Sequence, residues 1–362
     1  MQQAFFSNLV LDADADLRAG DALPGDFEVR LNANEAPPFL SPEARAELAR
    51  ALVPAALHRY PDPSANLLRR AFAAHCEVDF DEVLAGAGSD EVIAILLTAL
   101  ARPRSGRPRP VIVTVSPTFG MYKMNARARG YDVVEVPLDD SWDLDVEAMC
   151  SAVEQARPNI VFLASPNNPT GALLSSERIE AVLAASPDTL VVIDEAYVDY
   201  APRAQLGLRG RYPHVAFLRT LSKVGFAALR VDWVMAPPAL VRELDRKRQP
   251  YNLPAPSQLG GTFVLTQLAP EIAKLRDLVV GERARLAARL GALGFDVAPS
   301  DANFLWVESR RPAEEVFHAL AARGVLVSSF HARGGRLARR LRITIGLPSE
   351  NDRLLAELAP LA

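Results

Sequence analysis

Three short segments of the chain, PVIVTV, NIVFLA and TLVVID, run apolar through consecutive positions instead of alternating with polar ones. Strands of that kind have both faces covered, as in a parallel sheet with helices on either side. The same reading gives strands at Val111–Val115, Asp132–Val136, Ile160–Ala164, Leu190–Asp194, Val215–Arg219 and Val231–Met235. Segments of helical period lie between strands, at Ser89–Ala101, Asp145–Ala156 and Ser176–Ala185. The alternation predicts an α/β domain, a mostly parallel sheet sandwiched by helices with right-handed crossovers. After about residue 250 the rhythm changes. A long helical stretch from Ser257 to Leu293 leads to strands near Phe304–Val307, Val325–Ser328 and Leu341–Ile345. These read as a smaller α+β domain. The expected division is an N-terminal arm over 1–35, a large domain over 36–250 and a small C-terminal domain over 251–362.

A chain of 362 residues is long enough for two cores, and 49% hydrophobic with 23% charged residues excludes disorder as its main state. The net charge of −4 argues against a nucleic-acid partner held by phosphate neutralisation. Acidic residues interrupt the first twenty positions where a signal peptide needs an apolar core, and no apolar run approaches the roughly 18 residues that span a bilayer. A cytoplasmic chain without membrane contact is expected. Cys76 and Cys150 can form no disulfide framework and lack metal-ligand spacing, so no metal is expected.

Ligands of open α/β sheets bind where loops leave the carboxyl ends of strands. Four such loops carry candidate chemistry. In AGAGSDE, small residues lead into a helix opened by Ser89 and Asp90, either an anion site or an ordinary capped helix start. SPNNPTG presents Asn167 and Asn168 at a strand end, as ligand contacts or as a self-capping turn. In VVIDEAY, Asp194 ends an apolar strand, where a carboxylate is costly without a cation, and Tyr197 follows. In FLRTLSKVGFAALR, Thr220, Ser222, Lys223 and Arg230 combine hydroxyls, an ammonium and a guanidinium. Only four of the 40 basic residues are lysines (Lys123, Lys223, Lys247 and Lys274), and Lys223 alone has this strand-end setting. An acid, a lysine, an asparagine and a phosphate cradle form the set that pyridoxal phosphate requires.

The motifs LNANEAPP, RYPDP, GAGSDE, SPTFGMY, SPNNPTG, DEAYVDY, RTLSKVG and LRITIGLPSEND, in that order, cover nearly the whole chain. On them the sequence resembles the fold-type-I pyridoxal-phosphate aminotransferases, and most closely the histidinol-phosphate aminotransferase family. The resemblance implies that Lys223 holds the cofactor covalently and shuttles the proton, while Asp194 pairs with the ring nitrogen. It assigns Tyr197 and Asn168 to the ring oxygen and Phe119 to stacking. Ser89, Asp90, Thr220, Ser222 and Arg230 fall to the phosphate. Tyr60 falls to the phosphate of a neighbouring subunit, which implies a homodimer. Arg342 and Asn34 fall to the substrate. The implied reaction is transamination between histidinol phosphate and 2-oxoglutarate, with glutamate as the other product, in histidine biosynthesis.

Two positions depart from the family pattern. Ser328 stands in GVLVSSF where an arginine for the substrate phosphate is usual, leaving Arg333, Arg336, Arg339 and Arg340 as substitutes. Asp232 stands in ALRVDW where glycine is usual. Three other readings share the same motifs: an aromatic or other amino-acid aminotransferase, a threonine-phosphate decarboxylase, and a non-catalytic sensor that binds the cofactor. The intact Lys223 set argues against the last.

Overall fold

The computed structural model describes residues 25–362; residues 1–24 of the expected arm lie outside that range. The strands run in chain order as β1 (Val29–Leu31), β2 (Val83–Gly86), β3 (Val111–Ser116), β4 (Asp132–Pro137), β5 (Ile160–Ala164) and β6 (Leu190–Asp194). They continue as β7 (Val215–Thr220), β8 (Asp232–Met235), β9 (Asp296–Ala298), β10 (Phe304–Glu308), β11 (Val325–Ser329) and β12 (Arg340–Thr344). Seven form the large sheet, in the order β2-β8-β7-β6-β5-β3-β4. Only β8 runs against its neighbours, so the sheet is mostly parallel, as expected.

Alternate residues of each strand go to opposite faces, and both faces are apolar. Val113, Val161, Ile193 and Phe217 pack on one side, and Ile112, Phe162, Val192 and Ala216 on the other. That two-sided burial is why these strands read as unbroken apolar runs. Strand β2 escapes sequence reading because VLAG is short and ends in small residues.

The second sheet has the order β1-β11-β12-β10-β9, and its core is separate. β1, inside the expected arm, pairs parallel with β11 and belongs to the small sheet. The expected long helix is two, Ala255–Gln267 and Ala269–Ala292, interrupted at Leu268 just before Pro270. The first of them packs against helices Pro42–Leu52 and Asn66–Cys76, so residues 255–267 belong with the large domain. Among the described residues no helix is long and apolar enough to cross a membrane.

Strand register fixes what the large sheet offers at its functional edge. Asp232 lies opposite both Gly86 and Thr220, while Asp194 pairs with Ala164. The ends of β2, β5, β6 and β7 and the start of β8 therefore share one edge.

Candidate active site

That edge and the small domain enclose a cavity of about 370 Å³, lined by residues from all four loops, the arm and β12. Asp194 sits at its inner wall, 4% exposed, with no cation in ion-pair reach among the described residues. Burial pushes its pKa up to about 6, opposed by a hydrogen bond that Tyr122 donates to Oδ2 at 2.6 Å. The Ala196 amide donates to its other oxygen at 3.0 Å. A buried carboxylate so held is placed to receive a protonated ring nitrogen.

Two further groups have orientations fixed by their neighbours. The Thr344 hydroxyl accepts from the Asn34 amide N–H at 3.0 Å and donates to Asn34 Oδ1 at 3.2 Å. Asn34 Nδ2 is thereby turned to donate to the Tyr197 hydroxyl at 2.9 Å, leaving the phenol proton free for the cavity. Arg342 donates to Asn168 Oδ1 at 2.6 Å, which turns the Asn168 NH₂ away from the arginine. Arg342 also donates to Asn32 O at 2.5 Å and to Ser328 Oγ at 3.1 Å, while its buried Nε has no partner.

The opposite end of the cavity is cationic. Gly88 adopts φ +92 and caps the helix Ser89–Ala99, whose first amides carry the positive end of its dipole. A Cβ on Gly88 would stand 1.9 Å from Arg230 Nη2, so only glycine admits the guanidinium there. Arg230 is itself at φ +52; its backbone N–H donates to Ala227 O at 3.3 Å, while its guanidinium has no hydrogen bond or ion pair with a described residue. The buried Asp90 Oδ1 is likewise unpartnered. Lys223 lines the same cavity, its Nζ 3.5 Å from Ala33 O and 5.9 Å from the centroid of the Tyr197 ring, with no carboxylate paired to it among the described residues. Lys123 and Lys274 are instead paired with Glu135 and Glu271. An unpaired guanidinium at a helix start, a buried acid without a cation and a free amine in the same cavity fit a phosphorylated pyridine aldehyde.

The sequence matches the family model for class I and II aminotransferases over residues 28–358. It is 40% identical over 340 residues to the histidinol-phosphate aminotransferase of Methylibium petroleiphilum, covering 92% of this chain and 90% of that protein. It is 41% identical over 333 residues to histidinol-phosphate aminotransferase 1 of Burkholderia lata, covering 91% of each. The chain belongs to the histidinol-phosphate aminotransferase family. Its fold also matches the solved histidinol-phosphate aminotransferase of Sinorhizobium meliloti in complex with pyridoxal-5′-phosphate. That match has a TM-score of 0.82 and 23% identity, over 97% of this chain and 98% of that one.

In this aminotransferase the cavity gathers Asn34, Ser89, Asp90, Phe119, Asn168, Asp194, Tyr197, Thr220, Ser222, Lys223, Arg230 and Arg342. Tyr60 does not join them. It is 81% exposed and stacks on Tyr251, with ring centroids 4.7 Å apart. Asn167 is a turn residue: fully buried, it accepts from Thr118 and donates to Pro117 O and Thr170. Ser328 braces Arg342 and donates to Asn32 O at 2.8 Å.

Two of the four loop arginines are committed elsewhere. Arg336 donates to the Leu138 and Asp139 carbonyls and covers Trp142, and Arg340 is ion-paired to Glu308 at 2.5 Å. Arg333 has a terminal nitrogen 4.0 Å from where a Cβ on Gly120 would stand, next to Phe119 of the cavity. Sequence reading misses Tyr122 altogether. Asp232, unexplained from sequence, accepts hydrogen bonds from Ser89, Thr220 and Ser222. Among the described residues no group of three metal-ligating side chains occurs.

Proposed function

We propose that the protein is a pyridoxal-phosphate-dependent aminotransferase that moves the amino group of histidinol phosphate to 2-oxoglutarate, as a cytoplasmic homodimer in histidine biosynthesis. The carrying observation is that Asp194, Lys223, Arg230 and Arg342 converge on one cavity although Arg342 comes from the other sheet. Pyridoxal phosphate, when bound, supplies an electron sink for the carbanion at the substrate carbon.

The remaining chemistry is carried by side chains. Asp194 holds the proton of the ring nitrogen. Tyr197 and Asn168 donate to the ring oxygen, and Arg230 with the Ser89–Asp90 helix start holds the phosphate. The Lys223 amine would hold the cofactor by its aldehyde carbon and, displaced by the incoming amine, would take the proton from the substrate carbon and return it to that aldehyde carbon on the other side of the transferred nitrogen. Arg342 offers a planar fork to an anion at the far end. In one half-reaction that anion is the carboxylate of glutamate or 2-oxoglutarate. In the other it is the phosphate of histidinol phosphate, an amino alcohol ester without a carboxylate. The relatives' names support histidinol phosphate as the amino donor.

Val53, Leu57, Tyr60 and Leu67 are between 68% and 83% exposed, and this apolar surface supports a second copy as partner. Ser328 in place of an arginine favours a second reading, an aromatic amino-acid aminotransferase.

Half-reaction spectroscopy tests both. Histidinol phosphate should discharge the absorbance of the lysine-bound cofactor, and 2-oxoglutarate should restore it. Discharge by phenylalanine or tyrosine but not by histidinol phosphate would replace the first reading with the second.

A further inference from the structure

Asp232 opens β8 between Gly86 and Thr220, beneath both loops that form the cationic end of the cavity. Its side chain lines that cavity, and the residue is only 3% exposed. The hydroxyls around it are all directed at its oxygens. Ser89 Oγ donates to Oδ2 at 2.5 Å, Thr220 Oγ1 to Oδ1 at 2.5 Å, and Ser222 Oγ to Oδ1 at 3.4 Å. An ionised carboxylate only accepts hydrogen bonds, so a hydroxyl that serves it keeps no proton for the cavity, and the Thr220 oxygen also accepts the Ser222 amide at 2.8 Å. A phosphate monoester dianion also only accepts. The two anions compete for the same protons.

Charge does not balance either. Arg230, before β8, and Asp194, at the end of β6, act on Asp232 directly, while Lys223 after β7 and Asp90 on the helix Ser89–Ala99 line the same cavity. Once Lys223 is bound to the cofactor, Arg230 is the principal fixed cation facing three carboxylates and an incoming dianion. Burial alone already disfavours the charged form of Asp232.

Resting on the reading of this cavity as a pyridoxal-phosphate site, we propose that Asp232 takes up one proton from solvent when the cofactor's phosphate enters. One O–H bond forms, on the carboxylate, and no other covalent bond changes. The hydroxyl protons of Ser89 and Thr220 swing from Asp232 to the phosphate, and the neutral acid donates in its turn. Asp232 thereby makes retention of a phosphorylated cofactor depend on pH: grip is firm while the acid keeps its proton and loosens as alkali removes it.

The test measures the affinity of pyridoxal phosphate, and of unphosphorylated pyridoxal, from acid to mildly alkaline pH. It uses the wild-type chain, Asp232→Asn and Asp232→Gly, each also combined with Lys223→Ala to remove covalent attachment. Calorimetry in buffers of different ionisation enthalpy counts protons taken up. The wild type should take up close to one proton more than Asp232→Asn. Its affinity for pyridoxal phosphate relative to that variant should fall by up to about tenfold per pH unit on the alkaline side, and its affinity for pyridoxal should not. The phosphate's own second ionisation is common to all variants and cancels in the ratio. Asp232→Gly should behave as Asp232→Asn does, which covers a failure of either to fold. Equal proton uptake, or the same pH trend with pyridoxal, overturns the role of Asp232 while leaving the cofactor reading intact. A wild-type chain that binds no pyridoxal phosphate at any pH overturns both.

Discussion

The hydroxyl of Tyr122 lies 2.6 Å from Asp194 Oδ2, on a fully buried tyrosine whose ring stacks on Phe162 at 4.7 Å. The stack fixes the ring, and the ring fixes the donor. Of the bonds Asp194 makes, this one does most to keep it ionised against the effect of burial. Tyr122→Phe preserves the packing and deletes the donor. A hydrogen bond to a charged group contributes about 1.5–3 kcal/mol, so kcat/KM should fall roughly tenfold to a hundredfold. The acid limb of its pH profile should move to higher pH. A rate loss without that movement would make the phenol a packing group only.

Asp194 also sets a pH dependence of stability in the cofactor-free protein. Its pKa rises from 3.8 unfolded to about 6 folded, so the folded state binds the proton more tightly. The stabilisation is complete below pH 3.8 and disappears as pH climbs through 6. The difference is about 3 kcal/mol, an order-of-magnitude figure. Urea midpoints of the apoprotein, compared with Asp194→Asn, should show the variant gaining on the wild type across that window. Parallel curves would place the carboxylate in a wetter setting.

Gly88→Ala places a methyl where Arg230 stands and forces an alanine into φ +92. The guanidinium must leave its position at the helix start. Affinity for pyridoxal phosphate should drop by more than tenfold while the unphosphorylated aldehyde binds nearly as before, as a titration of each would show. An equal loss for both would point to general damage to the loop.

Beneath the cavity Arg219 meets Glu195 at 2.7 Å, with side chains 14% and 0% exposed. Glu195 also accepts the Gln205 amide. Removing Arg219 alone strands a buried carboxylate, which costs about 3–5 kcal/mol. Arg219→Met should lower the unfolding midpoint sharply, and adding Glu195→Gln should recover much of the loss. A single variant with wild-type stability would contradict the pairing.

The residues that announce themselves in sequence are those whose local setting is physically expensive. Asp194 stands out because an acid ending an apolar strand needs a reason, and Lys223 because few lysines compete with it. Tyr122 is silent because MYKMNAR is a seven-residue helix with no periodicity to say which side chain turns inward. Asp232 is an anomaly in sequence because its hydroxyl partners come from β7 and from the loop after β2, a strand too short to detect. The packing partners of the first helix after residue 250 are hidden for a similar reason. The helix Ala255–Gln267 has little amphipathic character, so its sequence does not show which domain it covers. Tyr60 follows the motif order but stands outside the cavity of a single chain.

The pairing of β1 with β11 has a consequence for biogenesis. Asn32, just after β1, accepts hydrogen bonds from Ser328, 296 residues later, and from Arg342. As the ribosome releases the chain, the entire large domain can collapse while β1 still lacks its hydrogen-bonding neighbour. The catalytic cleft is therefore completed only once the stretch carrying β11 and β12 has emerged. A nascent chain stalled before residue 325 would carry a finished cofactor platform beside an open strand edge, the condition that invites chaperones or self-association.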